Sequence, residues 1–222
     1  ATQSKDAPQP YVEACVLYAA GDATTALGMF RNAGSSADSG AAQYGQAACL
    51  AWMGNLQEAH DLFLRVYDQE PLLRHRAATG LAWVFVRSGQ YESALVWLDR
   101  AQEADPQDAW QFYLRGRTLR LAGQLGAAEE ALAQALRLRD DFVHAIAEMA
   151  AVQSTRAHEG RGEEQVTAAV AARRYADRAV ELVATPSMEL CELQGLYTFD
   201  VADLPAAKAA FLAGRDLASD DK

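Results

Sequence analysis

The stretch Gly89-Gln90-Tyr91-Glu92-Ser93-Ala94, followed by Leu98, Ala101 and Pro106, decides how this chain folds. Ala94, Leu98 and Ala101 stand at i, i+4 and i+7, which is one face of an α-helix. The glycine ahead of them supplies a backbone conformation that other residues resist, and the proline after them cannot continue a helix. The same phrase recurs on both sides. Gly54 precedes Ala59, Phe63 and Pro71, while Gly123 precedes Ala128, Leu132 and Ala135. The three glycines are 35 and 34 residues apart. An earlier copy has Gly21, Ala26, Phe30 and Ala33, and a last one has Ala202, Ala207, Phe211 and Gly214.

Each copy reads as two helices. In the first helix a small residue is followed three positions later by a large one in Ala14/Leu17, Ala47/Leu50, Ala82/Phe85 and Gly116/Leu119. The small residue lets the paired helices approach, and the large one fills the space beside them. A helix-turn-helix unit of about 34 residues with these side chains resembles the tetratricopeptide repeat. That resemblance implies an all-α, right-handed superhelical solenoid of about six hairpins and about twelve antiparallel helices. It places one domain over residues 1–222, with repeats near 7–39, 40–74, 75–108, 109–142, 143–187 and 188–222. The fifth departs from the pattern. A first helix is expected near Phe142 to Thr155 and a second from about Gln165 to Ala184. The polar run His158 to Glu164 between them reads as an enlarged turn, an insertion of roughly ten residues near 156–165.

Composition narrows the function classes. Half of the 222 residues are hydrophobic, enough for a core, and only 6 are proline. The longest apolar runs are short, such as Leu81 to Val86, whereas a membrane span needs about 20 residues. The first ten residues, ATQSKDAPQP, lack the charged start and apolar stretch of a secretory signal. A cytoplasmic location is expected, or an exported one whose signal has been removed. The net charge of −10 argues against nucleic acid, which is bound by neutralising phosphates with Lys and Arg. Arginine (17) far outnumbers lysine (3), as in high-GC bacteria.

The resemblance also implies a binding surface, because in such proteins the first helices line a concave groove where extended peptides or helices dock. Carried onto this chain, the groove takes Tyr11, Cys15 and Tyr18, then Tyr44 and Trp52, then Arg76, Trp83 and Arg87. It continues with Trp110, Tyr113, Arg117 and Arg120, and the last repeat adds Glu189, Glu192 and Asp200. Four arginines among aromatics favour a partner segment with an acidic stretch beside an apolar anchor. Aromatics at helical spacing are more often core than ligand contacts, and arginine on a helix is usually a solvated face. Lys and Asn, which clamp chaperone C-terminal carboxylates in one subgroup of the family, are absent at Tyr11, Cys15 and Tyr44.

No catalytic set emerges. The four histidines (60, 75, 144 and 158) are scattered, and Cys15, Cys49 and Cys191 form no CxxC pair, so neither a metal nor a cofactor is expected. The helix from Pro205 to Gly214 is apolar around most of its circumference, although solenoids need a polar end. Self-association into a homo-oligomer through this C-terminal repeat is therefore the alternative to an adaptor that binds another protein.

Overall fold

A computed structural model describes residues 9–19, 21–33 and 39–184, and among them it contains helices and turns but no strand. The expected all-α class holds. The ten α-helices are α1 (Gln9–Ala19), α2 (Ala23–Ala33), α3 (Ser39–Trp52), α4 (Leu56–Gln69) and α5 (Arg74–Arg87). They continue with α6 (Tyr91–Ala104), α7 (Ala109–Leu121), α8 (Leu125–Leu138), α9 (Val143–Glu159) and α10 (Glu163–Ala184). The hairpin expected over 188–222 lies outside the described residues. The chain divides into two compact units: α1 to α6 fall in the first, up to Ala104, and α7 to α10 in the second, from Asp105 to Ser187.

The first four turns share one hydrogen-bond pattern. Gly21, Gly54, Gly89 and Gly123 all have positive φ, between 74° and 88°. The residue after each glycine donates its amide back five positions, to the carbonyls of Leu17, Leu50, Phe85 and Leu119 at 2.8–2.9 Å. This is a left-handed cap that satisfies carbonyls left open at the helix end. The accepting residues are the four large residues of the sequence register, so the spacing that defines the repeat also sets where each first helix stops. Asp22 then caps α2, its carboxylate accepting from the Thr25 amide at 3.0 Å. Hydrogen bonding to Thr25 holds the Asp22 carboxyl below its usual range.

Within the first unit each helix packs on the next in chain order. Ala59, Phe63 and Val66 of α4 are buried, as are Ala94, Leu98 and Ala101 of α6, the faces read from the sequence. Glycines make the tightest joints. A Cβ on Gly45 would come within 2.6 Å of the Phe30 ring, and one on Gly80 within 2.5 Å of the Phe63 ring. Real side chains do not approach so closely, so each ring occupies the space that a glycine on the following first helix leaves empty. In the second unit, Ala128, Leu132 and Ala135 of α8 are buried, and a Cβ on Gly116 would meet Leu132 at 2.5 Å.

The fifth hairpin differs from the sequence reading. Its turn is three residues, 160–162, no longer than the others, and the inserted residues lengthen the helices instead. Ala47, Ala82 and Gly116 stand five residues before their helix ends, whereas the corresponding Ala150 stands nine before Glu159. Ala59, Ala94 and Ala128 stand three after their helix starts, whereas Ala172 stands nine after Glu163. Four residues therefore extend α9 and six extend α10, which together make the insertion of ten. The α9 extension is held to α8 by Glu129, which accepts from Gln153 at 3.1 Å and pairs with Arg156 at 2.8 Å.

Candidate functional site

The first helices carry the side chains expected to line a groove, and the two units treat them differently. In the first unit the Tyr11 side chain lies outside the described residues. Tyr18 is buried, its hydroxyl 3.5 Å from the Ala48 carbonyl, so it ties α1 to α3. Tyr44 and Trp52 are half-buried, and Tyr44 meets Phe63 edge-on with ring centroids 5.5 Å apart. On α5, Arg76 is half-buried, Trp83 is 2 % exposed and Arg87 is exposed. Residues i, i+7 and i+11 share one side of a helix, so the two arginines bracket Trp83.

The second unit concentrates aromatic rings. Trp110 and Tyr113 are buried and pack on Phe142 and His144, with ring centroids 5.1–5.8 Å apart in tilted and edge-on arrangements. Such pairs add to what area burial alone contributes. The Arg139 guanidinium lies 3.8 Å from the Phe142 ring centre, close enough for a cation–π contact. Arg117 donates to the Tyr113 hydroxyl at 3.0 Å, which fixes its guanidinium on the α7 surface. Arg120 donates to the Glu148 carboxylate on α9.

Two expectations therefore change. Tyr18, Trp83, Trp110 and Tyr113 were expected on an open face, and all four are buried. Large rings on adjacent turns find more contact against neighbouring helices than toward water. Arg120 was expected to meet a ligand, and instead it clamps α7 to α9 through a carboxylate 28 residues away. A buried carboxylate needs such a partner, and Glu148 is buried. Sequence reasoning missed Phe142, Arg139 and Glu148. The only signal was that a charged residue interrupts the otherwise apolar Ala145 to Ala151.

The remaining chemistry is sparse. Cys49 is buried, and burial, with Cys15 nearby, pushes its thiol up to about 12, so it stays protonated and unreactive at neutral pH. Among the described residues no three or more His, Cys, Asp or Glu side chains are placed to hold a metal ion. None of the described helices is long and apolar enough to cross a membrane.

Known proteins agree with this architecture. The tetratricopeptide-repeat family model matches residues 75–108, the hairpin of α5 and α6. No curated protein matches the sequence. Among solved structures, the chain is similar to TTC0263, a thermophilic tetratricopeptide-repeat protein of Thermus thermophilus. The identity there is 24%, the alignment covers 79% of this chain and 94% of that one, and the TM-score is 0.65. It is also similar to MamA of Desulfovibrio magneticus RS-1 from residue 41 to its end, at 20% identity, 80% and 97% coverage and a TM-score of 0.55. Residues 75–108 are a tetratricopeptide repeat, and the chain has the tetratricopeptide solenoid fold.

Proposed function

We propose that this chain is a protein-interaction scaffold, which holds an acidic segment of a partner protein against the first-helix faces of its hairpins. The observation that carries this reading is that Arg87 is exposed at the end of α5, with the half-buried Arg76 on the same side of the helix. Arginine forks bind carboxylates with two parallel hydrogen bonds. Within the second unit, Arg117 donates to the Tyr113 hydroxyl and offers the same chemistry on α7. Arg120 donates to Glu148 and stands outside this set.

A photo-crosslinking amino acid at Arg87, compared with one at Val96, tests the assignment. Val96 is 51 % exposed on the second helix of the same hairpin, so both positions are reachable from solvent. Partner peptides crosslinked at 87 and identified by mass spectrometry should be rich in Asp and Glu, and position 96 should capture few of them. Capture through 96 alone would move the binding surface to the second helices and defeat the proposal.

A further inference from the structure

A first-helix binding surface leaves two features of the second helices unexplained. The first is a ladder of charge and rings in the first unit. The Arg74 guanidinium lies 5.6 Å from the Tyr67 ring centre, and its Nε donates to the Tyr67 carbonyl at 3.2 Å. Tyr67 meets Trp97 edge-on at 5.2 Å, and the Arg100 guanidinium lies 4.4 Å from the Trp97 ring centre. Both rings are half-buried and both arginines are exposed. Glu103 stands one turn from Arg100, yet Arg100 stacks on Trp97, and neither guanidinium pairs with a carboxylate among the described residues. A stacked guanidinium keeps its edge N–H groups available to a carboxylate. Each arginine also stands beside an exposed aliphatic residue. Leu72, 88 % exposed, lies two positions before Arg74, and Val96 lies one turn before Arg100.

The second feature is the lengthened hairpin of the second unit. Val166 and Val170, one turn apart at the start of α10, are 50 % and 62 % exposed. Glu163 lies three residues before one and seven before the other, so it shares their side of the helix, and Glu164 flanks it. Counted from the buried alanine, Val170 corresponds to Gln57, Glu92 and Gly126, all exposed. The repeat therefore turns this side outward, where valine helps neither solvation nor helix propensity. We propose that this hairpin of one copy docks on the Arg74–Arg100 ladder of a second copy. Val166 and Val170 then meet Leu72 and Val96, while Glu163 and Glu164 reach the two guanidiniums. Glu163 to Val170 spans about 10 Å of helix, the same scale as the ladder's three steps. The two surfaces differ, so each docking leaves one hairpin and one ladder open, and copies add head to tail. This contact is independent of the first-helix reading, but an array of copies would present several first-helix faces in a row.

Sedimentation of the full chain at rising concentration tests this with two full-length variants. Arg74→Glu/Arg100→Glu spoils the ladder, and Glu163→Lys/Glu164→Lys/Val166→Ser/Val170→Ser spoils the hairpin. The natural chain should grow in mass with concentration, and more so at low salt. Each variant alone should self-associate at least about tenfold more weakly, because like charges then face each other or the apolar contact is gone. An equimolar mixture of the two should form a heterodimer and stop there, since it holds one intact surface of each kind. A natural chain that stays monomeric up to about 1 mM would overturn the proposal. So would variants that associate like the natural chain, or a mixture that stays monomeric. A photo-crosslinking residue at Val96 gives a readout on the otherwise natural chain, with heavy-isotope and ordinary copies mixed. Crosslinks from 96 to 163–170 of the other copy are expected. Crosslinks only within one copy, or to other residues, would overturn the contact.

Discussion

The hairpins α5–α6 and α9–α10 solve the same packing problem at different lengths. Both close with three-residue turns, at 88–90 and 160–162. In the shorter one, Gly89 adopts the left-handed conformation directly after Ser88, and Gln90 bonds back to Phe85. In the longer one α9 ends at Gly160 in an extended conformation, and the positive-φ glycine, Gly162, opens α10. The large residue of the second helix also changes, from Leu98 to Ala176, and both are buried. The repeat thus constrains turn length and the small-residue face, while arm length and core volume are free to vary.

The sharpest way to break this comparison is to shorten one arm. Deleting residues 163–168 leaves α9 overhanging by about 6 Å, since each helical residue rises 1.5 Å. The turn would have to be pulled from its compact form to an extended one to span that mismatch, and cooperative unfolding of the second unit should be weakened in a urea titration followed by circular dichroism. Deleting 156–159 as well should restore it, with some stability lost along with the Arg156–Glu129 pair. If the double deletion unfolds like the single one, the inserted residues are not divided between the arms as the structure shows.

Leu98→Ala gives α6 the small residue that α10 already has at Ala176. It should cost about 3 kcal/mol by denaturant titration, because a fully buried leucine leaves a cavity. A cost below about 1 kcal/mol would mean that α6 tolerates the α10 volume. Gly89→Ala should cost about 1–2 kcal/mol from the left-handed backbone alone, since nothing lies within 4 Å of an added Cβ there. The smallest effect has the opposite sign. Gly126 lies inside α8 with open space around it, so Gly126→Ala should stabilise the protein by about 0.5–1 kcal/mol.

Much of this was legible in the residues. The turn glycines, the large residues five positions behind their partners and the small-residue faces appear in the structure where the spacing predicts them. The fate of the insertion was not legible, because His158 and Glu159 read as loop residues in isolation. They stay helical beside residues that α8 holds through Glu129, a contact made across 24 and 27 positions of sequence. The site was less legible than the fold. Helical spacing shows which side of a helix Trp83 or Tyr113 occupies, but not what covers it. The pairing of Arg120 with Glu148 depends on how two first helices stand beside each other, which no local pattern encodes.

The ring-and-glycine joints also bear on how such a chain can grow. The hairpin of α3 and α4 carries a receptor at Gly45 and a ring at Phe63, so its trailing side complements its own leading side. A tandem duplicate of that segment would find Phe63 of the first copy facing Gly45 of the second, the fit that Phe30 already makes with Gly45. The array can therefore gain a member at this point without inventing a new contact.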